Sequence, residues 1–499
     1  MKKQLLFPAI ILGMAIPLCL SVQRSGASAE FIGDYTTSQS DYTKVGSKLN
    51  MEICDEGFVL LKNKDNFLPM SSQGKKISLV GKSSGNLVRG GGGSGSGSVN
   101  GEESWQLFGD PSQDVKGALE EYGFEVNEQI QKFYGSWAKS NWGGASYSNN
   151  SQSGSGRTNG NDGWKGNSEV TIGETPISSY SASLLATLDE YNDAAIQVIS
   201  REGSEGCDVK TCNAHDSKKT NSSNEKVSDR HALQLSENEE ALFEEIKKHT
   251  DNVIIIINSG NIFQCDKFEN DEKVKAILWI GNPGAVGASS VGRILTGEVN
   301  PSGHTVDTWA RDFTKDPTYQ NFSDNSQTNL VRSTSGKEYY APQDTLFAAD
   351  GAPMLSYGTD KAYKEHSAPR WDNARGGEEF KVVQGGLNGV KPASYVAYEE
   401  GIYVDYRYYE TRYADMAAKD QAAADNWYKG EEGVIYPFGY GLSYTTFDQE
   451  IIGSNIKDKN IKDGNFKIEV KVKVTNKGDV AGKDVVQLYW KAPYKVGGI

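Results

Sequence analysis

Two glutamates, Glu202 and Glu205, share one short, glycine-broken segment, Arg201-Glu-Gly-Ser-Glu-Gly-Cys-Asp208. A carboxyl beside glycine can approach a ligand closely, and its proton affinity can be tuned for general acid–base work. The run before it, Asp193-Ala-Ala-Ile-Gln-Val-Ile-Ser200, reads as a buried strand. Glu202 and Glu205 would then leave a sheet at its carboxyl edge, where open α/β sheets bind ligands. Taken alone, a loop carboxylate such as Glu205 is more often solvated than catalytic. A pairing of Asp208 with Arg201 would be purely structural.

The run Gly90-Gly-Gly-Gly-Ser-Gly-Ser-Gly97 satisfies a dinucleotide fingerprint only because so many of its positions are glycine. It lacks the Lys-Ser/Thr of a phosphate loop, which counts against nucleotide binding. It reads either as a linker or as a loop over a substrate, with Arg89 and Ser94 donating hydrogen bonds. Ser259, in Asn258-Ser-Gly-Asn261, lacks the frame of a nucleophile elbow, and His304 beside its turn reads as structural. Cys207 and Cys212 are spaced to bridge in an oxidising compartment but lack the second pair of a zinc site. No metal and no cofactor is implied.

The elements that must position these groups follow from the pattern. Lys76–Val80, Ala194–Ser200, Val253–Asn258 and Ala276–Ile280 are apolar, mostly β-branched runs, and Phe124–Val126 is a further short strand. Helical periodicity covers Gln113–Glu121, Glu237–Lys248 and Val286–Leu295, and residues 51–63 read as a helix giving way to a strand. Such alternation predicts an α/β fold, a mostly parallel sheet flanked by helices, over residues 51–448. Residues 136–170 and 209–228 are polar and low in complexity. The first reads as a flexible insertion and the second as a polar loop. From 449 to 499 the pattern changes. Phe466–Val474 alternates strictly, Thr475–Asp479 is a turn, and Val485–Trp490 reads as another strand, which together predict the start of a β-sandwich. A sandwich takes roughly 100 residues, so this one is expected to be incomplete and the chain to be part of a longer protein.

The net charge of −14 excludes a phosphate-backbone binder, so nucleic acid is not an expected partner. The 25 Tyr and 9 Trp suit stacking on sugars, although most such residues in any protein serve cores. Lys2 and Lys3, the apolar stretch Leu5–Val22 and Ala27-Ser28-Ala29 predict an export signal over 1–29, or an N-terminal membrane anchor if it is not cleaved. Either places the remainder outside the cytoplasm. Residues 30–50 read as a linker.

Several blocks together resemble the C-terminal half of glycoside hydrolase family 3, of the β-glucosidase type. They are Glu56-Gly-Phe-Val-Leu-Leu-Lys-Asn63 with Leu68-Pro69, Arg201–Asp208, Asn282-Pro-Gly-Ala-Val-Gly287, Asn300-Pro-Ser-Gly-His304 to Trp309, Tyr398–Arg407, and Tyr436-Pro-Phe-Gly-Tyr-Gly-Leu-Ser-Tyr444 to Phe447. The resemblance spans about residues 51–499. It implies that Glu205 is the acid/base of a retaining glycosidase, with Glu202 as the alternative register. The strands after 450 would open a fibronectin type III-like domain. The substrate would be an oligosaccharide or β-glycoside, and the nucleophile would lie on a (β/α)8 barrel missing from this chain, as in members with reversed domain order. The chain by itself is then expected to be inactive. A non-catalytic sugar-binding or scaffolding module is the competing expectation.

Overall fold

A computed structural model describes residues 39–85, 87–90, 114–142, 170–172, 174–201, 214–215, 230–231, 233–318, 401–456 and 467–489. Between 319 and 400 it describes only 322–323, 329–332, 338–341, 346–347, 353–354 and 395–396. At its centre are β1 (Val59–Asn63), β2 (Lys76–Val80), β3 (Glu125–Val126), β4 (Ala194–Arg201), β5 (Val253–Ser259) and β6 (Val274–Trp279). They form one sheet in the order β1-β6-β5-β4-β2-β3. All pairs are parallel except β1 on β6.

The central strands β4 and β5 are buried along their whole length, as apolar runs without alternation require. Ile196, Val198, Ile254 and Ile256 face one layer, formed by α1 (Gln39–Gly57), α2 (Val115–Glu121) and α6 (Ser289–Thr296). Ala195, Ile199, Ile255 and Ile257 face the other, formed by α3 (Glu128–Trp142), α4 (Ala182–Glu190) and α5 (Glu237–Ile246). Each buried Ile or Val stabilises by about 2 kcal/mol. The two central strands therefore carry much of the sheet's cohesion and give the end of β4 a rigid base.

Three readings from sequence need correction. Residues 30–50 are not linker throughout, because α1 begins at Gln39. This helix is anchored by polar contacts, the Asp55–Arg293 ion pair among them, rather than by a broad apolar face. The Asn50 amide donates to the Pro283 carbonyl at 2.8 Å, and the Cys54 thiol donates to the same oxygen at 3.3 Å. Helix α3 continues to Trp142, into the stretch read as insertion; residues 143–169 lie outside the described residues. Val485–Tyr489 joins no strand ladder among the described residues. Its contacts are made by side chains instead: Gln449 Nε2 donates to the Val485 carbonyl at 3.1 Å, and the Tyr489 ring meets Tyr406 edge-on at 5.9 Å.

The C-terminal part contains a two-stranded antiparallel ribbon, β9 (Phe447–Ser454) with β10 (Val470–Asn476). It follows a small pair, β7 (Trp309–Ala310) with β8 (Val434–Tyr436). Two of the sequence blocks close this region on each other. The Thr305 amide donates to the Tyr440 carbonyl at 2.7 Å, and the Thr305 hydroxyl donates to the Pro437 carbonyl at 2.7 Å. Asn300 Oδ1 accepts from the Ser443 hydroxyl and the Tyr444 amide. The Leu442 amide reaches back to Leu60 in β1 at 2.9 Å. Asn476 organises the turn after β10, accepting from the Gly478 amide at 3.0 Å and donating to the Val480 carbonyl at 2.7 Å.

Candidate active site at the carboxyl edge of the sheet

Strands β2, β4, β5 and β6 all end at one edge, and a buried polar lattice ties their ends together. Asn258, near the end of β5, is fully buried and makes four bonds. Its Oδ1 accepts from the Val88 amide and the Ser200 hydroxyl, each at 2.7 Å. Its Nδ2 donates to the carbonyls of Val88 and Gly281, each at 2.8 Å. One amide thus fixes β5 to β4 and to the loops that follow β2 and β6. Gly81 makes the sharp exit from β2. Its φ is +92°, and a Cβ there would stand 2.6 Å from the Val198 carbonyl oxygen, so only glycine fits without displacement.

Arg201, the last residue of β4, lies inside the protein with its side chain inaccessible. Its two terminal nitrogens clamp the Glu239 carboxylate at 2.8 and 2.7 Å. The guanidinium also donates to the carbonyls of Ser200 and Gln234 and stacks 5.0 Å from the Phe263 ring centroid. The structural partner of Arg201 is therefore Glu239; Asp208 lies outside the described residues. Glu239 has a second task. With Ser236 it forms the capping box of α5, accepting from the Ser236 amide at 2.8 Å. Burial would raise the Glu239 pKa, but the Arg201 charge and its hydrogen bonds outweigh burial and hold it below the usual carboxylate value.

Glu174 completes the cluster. It is buried and accepts from the Lys82 amide at 3.0 and 3.2 Å and from the Thr175 amide at 2.8 Å. Burial, with the neighbouring Glu239 charge adding to it, pushes its carboxyl up to about 8 against the opposing Lys82 charge. Its carbonyl accepts from Asn238 at the start of α5 at 2.9 Å. The backbone just before it, Val170–Thr171, pairs in parallel with Ala214–His215. The described residues on either side of 202–213 are each held, Arg201 by the buried ion pair and Ala214 by the short ladder.

Glu202, Glu205 and Ser94 fall outside the described residues, as do Cys207 and Cys212. Arg89 stands at this edge but is buried, and its guanidinium donates to the Ala285 carbonyl. Burial lowers its pKa to about 10, and Asp114 opposes that shift. Ser259 is buried, its hydroxyl accepting from the Asn261 amide at 3.0 Å, and His304 bonds the Ser302 carbonyl within its turn. Burial raises the thiols of Cys54, to about 12, and of Cys265, so neither is a reactive thiolate. Sequence reading missed Asn258, Glu239 and Glu174. The Ser236-x-x-Glu239 spacing before an apolar run was a visible cue to a capping box. Nothing local marks Glu174.

The profile of the family described as "Glycosyl hydrolase family 3 C-terminal domain" matches residues 58–406. The chain is 25% identical over 461 residues to beta-glucosidase A of Butyrivibrio fibrisolvens, covering 89% of this chain and 41% of that protein. It is 25% identical over 314 residues to a beta-glucosidase of Ruminococcus albus, covering 62% of this chain and 21% of that protein. Among solved structures, beta-glucosidase 3B from Thermotoga neapolitana superposes with a TM-score of 0.53 at 20% identity, over 93% of this chain and 48% of that one. A Paenibacillus barengoltzii beta-glucosidase superposes with a TM-score of 0.51 at 23% identity, over 87% and 33%. These structural likenesses bear on the fold. The chain spans less than half the length of each of these relatives.

Proposed function

The chain belongs to glycosyl hydrolase family 3, and from that membership we propose that it is the α/β part of a secreted, retaining β-glucosidase-like enzyme that releases terminal sugars from β-glycosides. The observation that supports this reading is the fixing of Arg201, the residue before Glu202, by a buried ion pair at the carboxyl end of β4, where the strands of an α/β sheet deliver groups to a ligand. In this proposal Glu205 is the acid/base. It protonates the leaving oxygen and then takes a proton from the attacking water, while a nucleophilic carboxylate about 5–5.5 Å away forms the glycosyl-enzyme. The nucleophile comes from a (β/α)8 barrel outside these residues. The greater length of the relatives leaves room for one. Glu205 must hold its proton near neutral pH, which requires burial against that barrel and the nearby charge of the nucleophile.

The test is turnover of an aryl β-glucoside. The 499-residue chain alone is expected to be inactive. Joined to its barrel it should act, and Glu205→Gln should lower kcat by a factor on the order of 10²–10⁴. Turnover by the chain alone, abolished by Glu205→Gln, would refute the need for a second domain. Full activity of the Glu205→Gln enzyme would refute the role of Glu205.

A further inference from the structure

The opposite, amino edge of the sheet carries a concavity of its own. The turns leading into β2, β4, β5 and β6 meet there around a cleft of about 510 Å³. Phe67 and Met70 supply its apolar side, both partly buried against the core under α6. The rest of the wall is polar, and each of its lysines already has a carboxylate partner. Lys75 faces Asp193 at 2.9 Å, Lys273 faces Asp251 at 2.8 Å, Lys248 faces Glu245 at 2.5 Å and His249 faces Asp189 at 2.7 Å. An ionic ligand would have to displace a partner already in place. A neutral one would not.

What the pairs leave over is hydrogen-bonding capacity on a stiff frame. The Thr250 hydroxyl donates to the Asn192 carbonyl at 2.8 Å and accepts from the Asn252 amide at 3.1 Å, locking two turns together. Asn252 Nδ2 donates to the Asp193 carbonyl at 3.0 Å, which leaves its Oδ1 without a donor among the described residues. The Asn192 side chain is exposed and has no partner among the described residues. The Asp251 carboxylate is 81% exposed and ionised, its hydrogen bond from Lys273 lowering its pKa. Planar amides and carboxylates can each hold vicinal hydroxyls, and an apolar wall suits the C–H face of a sugar ring. A cavity already formed and held by backbone contacts spares a ligand the cost of ordering it.

We propose that this amino-edge cleft binds a neutral pyranose unit of an oligosaccharide, at a site remote from the edge that carries segment 202–213. The inference stands on the cleft itself and does not depend on the role of Glu205. Isothermal titration and ligand-observed NMR on the whole chain test it, with cellobiose and xylobiose as neutral probes and inorganic phosphate as the charged one. A disaccharide should bind with Kd on the order of 1–10 mM, the weak range open polar sites allow. Asn192→Ala, at an exposed position, should fold normally and weaken binding severalfold, and adding Asn252→Ala should weaken it at least about tenfold, near 1.4 kcal/mol. Glu205→Gln should leave it unchanged. Absence of saturable binding, binding indifferent to the double variant, loss of binding in Glu205→Gln, or displacement of the disaccharide by phosphate would each overturn the proposal.

Discussion

Glu174→Gln isolates one buried proton. The Glu174 carboxyl titrates near 8 in the folded protein against a usual value of 4.5, with burial as the main cause. The folded chain therefore holds a proton that the unfolded chain releases across that window. Stability from this group is complete below about pH 4.5, falls as pH rises, and levels off above about 8. The slope is at most about 1.4 kcal/mol per pH unit, so about 3 kcal/mol is lost between roughly pH 5 and pH 7.5. The groups around it are Glu239, Lys82, Arg201 and the Tyr134 phenol. Glu239 acts outside this window, since its lowered pKa costs stability only as pH falls below the usual carboxylate value. His231 acts with the opposite sign. Burial lowers its pKa to about 4, so its contribution is present above its ordinary value and lost as pH falls toward 4. A single stability curve mixes all of these effects, whereas the difference between wild type and Glu174→Gln does not. Glutamine keeps an acceptor for the Lys82 and Thr175 amides and cannot ionise. Urea unfolding at a series of pH values should show the two proteins within about 1 kcal/mol of each other near pH 5, with the variant gaining about 3 kcal/mol on wild type by about pH 7.5. Parallel curves would mean that Glu174 is ionised throughout and that the electrostatic account of this edge is wrong.

Two further outcomes test the same region by thermal or urea unfolding. Arg201→Met leaves the Glu239 carboxylate buried without its clamp and should cost about 3–5 kcal/mol, most of it recovered in Arg201→Met/Glu239→Leu less about 1 kcal/mol for the lost cap. A single variant within about 0.5 kcal/mol of wild type would show that water reaches the pair. Gly81→Ala should cost about 1–3 kcal/mol, because its φ of +92° and the Val198 carbonyl 2.6 Å from the new methyl both oppose a side chain. An unchanged melting temperature would show that the exit from β2 relaxes freely.

How far each feature could be read depends on how local its cause is. Runs such as Val253-Ile-Ile-Ile-Ile257 announce a strand buried on both faces, and β2, β4, β5 and β6 lie within a residue or two of where their apolar runs place them. Helix α1 was half hidden. Val45, Leu49 and Ile53 recur at helical spacing but stay exposed, while contacts that dock the helix come from Asn50, Cys54 and Asp55, whose partners Pro283 and Arg293 are far away in the chain. Val485–Tyr489 shows the reverse failure, since strand-forming residue types permit a strand but only a neighbouring strand can make one.

Periodicity and turn chemistry, written over a few residues, determined the α/β layering, the parallel sheet and the carboxyl edge from which the Glu202/Glu205 segment departs. Only the tertiary structure decided which charges meet at that edge. It brings Glu239 and Glu174 from separate segments to the ends of β4 and β2, gives Arg201 to Glu239, and lets Asn258 join strand ends that the sequence sets far apart. The physical reason is that hydrophobic spacing acts along the chain, whereas a buried charge or amide is satisfied through space, by whichever residue packing carries to within hydrogen-bonding distance.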